Sequence, residues 1–215
     1  MFIPSLYSLS SSLLTFVALA LGYSIGSFPT AFLLVKRKAG TDIRSVGSGN
    51  VGGYNAYTVT GSKSVGALVI AFDAAKGLAV ALAAWAVAPA DFLLQAAAIV
   101  GVILGHNYPL WLKFKGGRGL ATALGAMFGV GHFLGVAWIG SWLVLYRLRK
   151  DILRANVLAT IFSLAAVWIA PQSFVQFFMI RDVDTVEYAA LVTVLDVLFL
   201  VSHRDAIKAW NTGAA

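Results

Sequence analysis

Two short stretches of this 215-residue chain carry the residue types that anion chemistry needs. Lys115-Gly116-Gly117-Arg118-Gly119 sets an ammonium and a guanidinium among three glycines, directly ahead of an apolar run. A guanidinium grips phosphate through two parallel bonds and an ammonium acts as a point charge. The free N–H groups at a helix start add partial positive charge. The second stretch, Asp42 to Asn55, reads Asp-Ile-Arg-Ser-Val-Gly-Ser-Gly-Asn-Val-Gly-Gly-Tyr-Asn. Its glycines permit positive φ and close approach to the backbone, and successive N–H groups in such a turn form an anion-binding concavity. Either stretch alone also reads as a turn-rich connector or as a basic loop obeying membrane topology. Two together favour an anionic substrate.

The residues expected to act are His106, Ser48 and Lys115 at the reacting end. Arg44, Gly47, Gly49, Asn50, Gly52, Asn55, Gly116, Gly117 and Arg118 are expected to hold the substrate. Ser48, Lys115 and Arg118 suit phosphate oxygens, while Asn50 and Asn55 order the loop or orient the acceptor. His106 ends an apolar helix beside the basic loop, and an imidazole there orients groups or takes a proton near working pH. The order Gly-x-x-x-x-Gly-Lys-[Ser/Thr] is absent, as is a Gly-x-Ser-x-Gly nucleophile elbow. With no cysteine, disulfides and thiolate chemistry are excluded, and no metal site or cofactor is expected.

The elements that must position these residues are apolar. Hydrophobic residues make up 60% of the chain and charged ones 12%, and the mean hydropathy is +0.84. A soluble domain carries nearer ~25% charged residues. Apolar runs cover roughly Leu13–Val35, Val65–Ala88, Phe92–Leu112, Leu120–Tyr146, Asn156–Ala170 and Tyr188–Ser202. About 20 helical residues cross the hydrocarbon core, and the fourth run exceeds one crossing. Gly129-Val130-Gly131-His132 divides it, so the sequence predicts an all-α polytopic membrane protein of about seven transmembrane helices. The chain 1–215 reads as a single domain with ordered glycine-rich cytoplasmic loops. Met1–Ser12 lacks positive charge and makes a poor signal-peptide start, so the first run is expected to be retained as a helix.

Charge sorting sets the orientation. With the N-terminus outside, 14 of the 16 Lys and Arg residues fall in inside loops or the tail, as the positive-inside rule requires. The exceptions are Lys76, within a helix, and Arg181, in an outside loop. Six crossings would place the tail outside and split the basic loops between faces. The net charge of +7 is then explained by anionic head groups, with no nucleic-acid partner. The inside link from Lys36 to Ser64 carries Ile43, Val46, Val51, Tyr54, Tyr57 and Val59 at intervals, and is expected to fold against the membrane interface. Asp73 and Lys76 share a helix face and read as structural glue or the wall of a polar cavity. Asp196 must find a partner elsewhere or be protonated. His132 reads as an outside interruption and His203 as interfacial.

The chain resembles the bacterial acyl-phosphate:glycerol-3-phosphate acyltransferase family, PlsY. The resemblance lies in Gly26-Ser27-Phe28-Pro29-Thr30-Ala31, Asp42-Ile43-Arg44, Gly47 to Gly52, Asp73 to Gly77, Gly105-His106-Asn107-Tyr108-Pro109 through Gly125, and, more weakly, His203 to Gly213. It implies a seven-helix enzyme of the cell membrane with a cytoplasmic active site and a cytoplasmic C-terminus. Its substrates would be acyl phosphate and glycerol 3-phosphate, and its product lysophosphatidic acid for phospholipid biosynthesis. Neither acyl-CoA nor acyl carrier protein would be the immediate donor. The chain departs from the family pattern at Thr58, where an Arg is usual, and at Ala206, where an Asn is usual. The Ser-Leu pair is not visible around Arg154-Ala155-Asn156-Val157, and Ala214-Ala215 replaces a Glu. These departures imply a divergent member with altered preference or activity. They also motivate a non-catalytic lipid-phosphate binder as the alternative. A small transporter is the third reading, drawn from Asp73, Lys76 and Asp196, but the paired broken-helix repeat common in transporters is missing.

Overall fold

The structure is a computed structural model describing residues 6–211. Thr212 to Ala215 and the side chain of Ala206 lie outside what is described. Among the described residues the chain is helical throughout, without a strand. The helices are α1 (Leu6–Gly26), α2 (Thr30–Ala39), α3 (Gly53–Thr60), α4 (Lys63–Val87), α5 (Phe92–Asn107), α6 (Leu120–Phe128), α7 (Phe133–Arg149), α8 (Ile152–Ile169), α9 (Gln172–Phe177), α10 (Thr185–Ser202) and α11 (Arg204–Asn211). Hydrocarbon offers backbone groups no partners, so only helices that satisfy their own hydrogen bonds can cross it in an all-α chain.

Five segments among the described residues are long and apolar enough to cross a membrane: Ser11–Ala39, Lys63–Val87, Phe92–Leu112, Ile152–Ile169 and Thr185–Ser202. The remaining apolar stretch divides where Gly129 to His132 interrupt it, into α6 of 9 residues and α7 of 17. Large apolar side chains such as Phe16, Leu21, Phe72 and Trp168 face outward, which suits hydrocarbon and not water. The first run differs from expectation. Leu13–Val35 is not one helix but α1 and α2, separated at Ser27 to Pro29. Pro29 lacks the N–H that an unbroken helix would use.

Close helix contacts come from glycines at intervals of four. On α1, Gly22 and Gly26 lie against the carbonyls of Ala98 and Val102 on α5, where a Cβ would overlap the backbone. Reciprocally, Gly101 and Gly105 on α5 lie against Leu19 and Tyr23 on α1. Gly77 on α4 and Gly125 on α6 pack in the same way against Thr122 and Ala74. Without a hydrophobic driving force between helices, small residues let backbones approach and gain dispersion contacts. These seams bring the end of α1, the middle of α4 and the end of α5 together.

Buried polar side chains join the other half. Trp138 donates to Thr160 at 3.0 Å and Trp142 to Asn156 at 2.7 Å, linking α7 to α8. Ser163 on α8 donates to Asp196 Oδ2 at 3.1 Å, while Oδ1 is buried with no partner among the described residues. His203, expected at the interface, follows the end of α10 and is buried within the protein, with Nδ1 2.8 Å from the Phe199 carbonyl and Nε2 3.4 Å from Asn156. The turn from α10 to α11 packs inward, and this placement is not visible from His203's polarity.

Candidate active site

The link after α2 is ordered, as its apolar residues imply. Ile43, Val51 and Ala56 are buried with Val35, Val69 and Leu112. Asp42 caps a short 3-10 turn, Ile43–Ser45, by accepting from the Arg44 N–H at 2.9 Å. The Arg44 guanidinium returns to the same carboxylate at 2.6 Å, donates to the Leu112 carbonyl at 2.9 Å and lies over the Phe32 ring. Its charge is thus largely engaged within the protein.

That engagement predicts a pH dependence. The hydrogen-bonded Arg44 guanidinium lowers the Asp42 pKa from 3.8 to about 2. A depressed carboxyl pKa stabilises the fold above the unfolded value, and the contribution is lost as pH falls through the folded value. The turn at Asp42 should therefore hold unchanged above pH about 4 and loosen towards pH about 2. Limited proteolysis of the 36–62 link across this range checks it, with Asp42→Asn expected to remove the dependence.

Asn55, at the start of α3, organises the glycine-rich turn. Its Oδ1 accepts from the Ser48 N–H at 3.0 Å. Its Nδ2 donates to the carbonyls of Ile43, Val46 and Asn50 at 3.2, 3.2 and 3.0 Å. The side chain is 2% exposed, so its polar atoms serve the loop from within. Gly47 and Gly49 have φ of +60° and +70°, and a Cβ on Gly47 would overlap the Asn55 oxygen. Ser48 is exposed on the outer side of this turn, with Asn50 and Gly52 half-buried after it.

The second loop folds back on the end of α5. Gly116 N–H donates to the Asn107 carbonyl and Gly117 N–H to the His106 carbonyl, both at 3.1 Å. Gly119, with φ +82°, begins α6. Lys115 is exposed and Arg118 half-buried. Burial lowers the Arg118 pKa, partly offset by Asp205, and the Arg118 carbonyl accepts from Ser202 at 3.2 Å. The two loops meet directly: Val51 N–H donates to the Gly116 carbonyl at 3.3 Å.

His106 lies behind this junction. A Cβ on Gly117 would collide with its Nε2 and with the Val51 carbonyl. Its Nδ1 is 3.0 Å from Lys76 Nζ and 3.5 Å from the Asp73 carboxylate. The adjoining cavity, lined by Ser27, Pro29, Val51, Asp73 and Lys76 among others, is about 10 Å³, no more than one water requires. Sequence reasoning did not join His106 to the Asp73–Lys76 pair, and the only signal for it was the cost of unpaired charge within a span. It also passed over Asn107, which is 3% exposed with no partner for either side-chain polar atom among the described residues. Thr58 is exposed on α3, its hydroxyl donating to the Tyr54 carbonyl at 3.0 Å.

Fold and site together define a class: a multi-pass integral membrane protein whose two glycine-rich loops join into one basic, anion-suited end. A sequence model of the family described as Glycerol-3-phosphate acyltransferase matches residues 16–213, and the chain belongs to that family. A glycerol-3-phosphate acyltransferase of Rhodopseudomonas palustris (strain BisB5) is 35% identical over 197 residues, 91% of this chain and 92% of the relative. One from Thermotoga petrophila is 36% identical over 188 residues, covering 87% and 88% of the two chains. Crystal structures of PlsY, an integral membrane glycerol 3-phosphate acyltransferase, share the fold. The glycerol 3-phosphate form has TM-score 0.78 and 30% identity, covering 93% of this chain and 92% of that one. The lysophosphatidic acid form has TM-score 0.76 and 28% identity over the same shares.

Proposed function

We propose that this chain transfers the acyl group of an acyl phosphate to glycerol 3-phosphate, forming lysophosphatidic acid and releasing phosphate. The observation that carries this reading is the Val51–Gly116 hydrogen bond, which brings the turn of Ser48 and the loop of Lys115 and Arg118 to one end of the helices. Two phosphate-bearing substrates need adjoining anion sites, and joined loops supply them. The acyl chain lies in the membrane while the phosphates lie at the basic end.

An acyl phosphate is already an activated mixed anhydride. The acceptor hydroxyl oxygen attacks the acyl carbon, the bond from that carbon to the phosphate oxygen breaks, and the hydroxyl proton passes to a phosphate oxygen. What the protein supplies is proximity and charge stabilisation. Lys115, Arg118, Ser48 and the N–H groups of Gly47 and Gly52 hold the phosphates, with Asn50 at the rim, while Gly49, Gly116 and Gly117, whose N–H groups bond within the protein, shape the two loops around them. Arg44 and Asn55 act on the substrate through the turn they hold in shape. His106, enclosed behind Gly117, orients the loop. Membrane orientation follows the basic loops: N-terminus outside and C-terminus cytoplasmic, with seven membrane segments when α7 and the short α6, which enters without spanning alone, are both included.

The test is lysophosphatidic acid formation from labelled acyl phosphate and glycerol 3-phosphate by the protein reconstituted in lipid. Product that requires both substrates is the expected result. No product under conditions where the R. palustris relative turns over refutes the assignment, and saturable acyl-phosphate binding without turnover would identify a lipid-phosphate binder instead.

A further inference from the structure

Lys76 sits inside a membrane span with all three ammonium hydrogens engaged. They reach Asp73 Oδ1 at 2.9 Å, His106 Nδ1 at 3.0 Å and the Gly26 carbonyl at 3.0 Å. Neutralising Lys76 requires only Asp73, one turn away on the same helix. The other two contacts join α4 to α5 and to the end of α1, and the one to His106 leads to the site.

An ammonium donating to Nδ1 makes that nitrogen the acceptor, so a neutral imidazole carries its hydrogen on Nε2. The Nε2 edge faces Gly117 and the Val51 carbonyl, where a Cβ has no room. Gly117 also donates its N–H to the His106 carbonyl at 3.1 Å, so the same residue fixes the loop through its backbone and its ring. Lys115 and Arg118 stand two residues before and one after Gly117, and a rotation of that peptide re-aims both.

We propose that Lys76 and Asp73 are positioning residues for the phosphate-holding loop, acting through the His106 ring on Gly117. This rests on the acyl-transfer reading above. Neither residue contacts substrate. The pair fixes the rotation of the imidazole, and the imidazole fixes where the Lys115–Gly119 loop presents its charges. Charge pairing within α4 alone would stabilise the helix bundle without touching substrate affinity, and this is the distinction that an experiment can read.

The experiment measures steady-state acyl transfer with both substrates varied, for purified wild type, Lys76→Met, Gly117→Ala and the double variant, alongside thermal unfolding. In Lys76→Met, the KM of at least one phosphate-bearing substrate should rise tenfold or more while kcat changes less than threefold. Gly117→Ala should show the same split, and the double variant should lose no more than the worse single one, because residues acting in series are not additive. Unchanged KM values, or losses that multiply in the double variant, overturn the proposal. Should Lys76→Met not fold, Asp73→Asn, which keeps the shape of the side chain, takes its place in the same cycle. Failure of both to fold counts against a positioning role and for a structural one. Wild-type inactivity would instead refute the acyl-transfer reading itself, so the two failures are distinguishable.

Discussion

Replacing Lys115 by alanine should lower kcat/KM for acyl transfer by about 10²- to 10³-fold, a loss of ~3–4 kcal/mol of transition-state stabilisation of the size seen when one preorganised donor is removed from a reacting centre. The side chain is exposed at the loop that joins Val51, and its removal leaves the loop's backbone bonds in place. Thermal stability should therefore stay within the ±0.5 kcal/mol usual for surface substitutions. Lys113, also exposed but two residues before Lys115 and ahead of the glycines, is the control. Lys113→Ala should cost less than tenfold. Complementation of a strain lacking glycerol-3-phosphate acyltransferase gives the clearest reading: wild type and Lys113→Ala should support growth and Lys115→Ala should not. Growth with Lys115→Ala would remove this residue from the site.

Asn55→Ala should be nearly as damaging by a different route. The Asn55 side chain makes four hydrogen bonds to the turn, three as donor to carbonyls and one as acceptor from the Ser48 N–H. Alanine takes the Asn55 partner from the Ser48 N–H and the Ile43 and Asn50 carbonyls, at ~1–3 kcal/mol for each that stays buried, while the Val46 carbonyl keeps the Gly49 N–H. The turn avoids that cost by opening to water, and Ser48 and Val51 then lose their fixed places opposite Gly116. Activity should fall about a hundredfold or more, consistent with a displacement of the positioned groups. The transmembrane helices should remain folded, since the damage is confined to the link. Asn55→Asp should not rescue, because a carboxylate accepts but cannot donate to three carbonyls. Protease cutting of the 36–62 link in membrane vesicles, measured beside turnover, separates this outcome from global unfolding. Full activity in Asn55→Ala would show that the turn's shape is held by its glycines and apolar residues alone.

Much of this was legible in the residues themselves. A chain with 12% charged residues and apolar runs of membrane-crossing length has few options, because hydrocarbon leaves backbone groups no partner but one another. The break at Gly129 to His132 and the order in the Lys36–Ser64 link follow from local composition, and both are present in the structure. Pro29 is an equally local signal, set within an apolar run, and the break beside it divides one expected helix into α1 and α2. The glycine pairs Gly22/Gly26 and Gly101/Gly105 were visible at their four-residue spacing. Their meaning required knowing that α1 and α5 are the partners.

The sequence alone determined the membrane class, the two glycine-rich loops and the in-helix spacing of Asp73 and Lys76, because each is set by residues within a few turns of one another. Only the tertiary structure decided that Val51 meets Gly116, that Asn55 turns inward to its own loop, and that Lys76 reaches His106, thirty positions away. Periodicity reports which face of a helix is polar. It does not report which helix that face meets, nor at what rotation and depth. Those are set by backbone approach at glycines such as Gly77, Gly105 and Gly125, where helices can close until their carbonyls touch their neighbours.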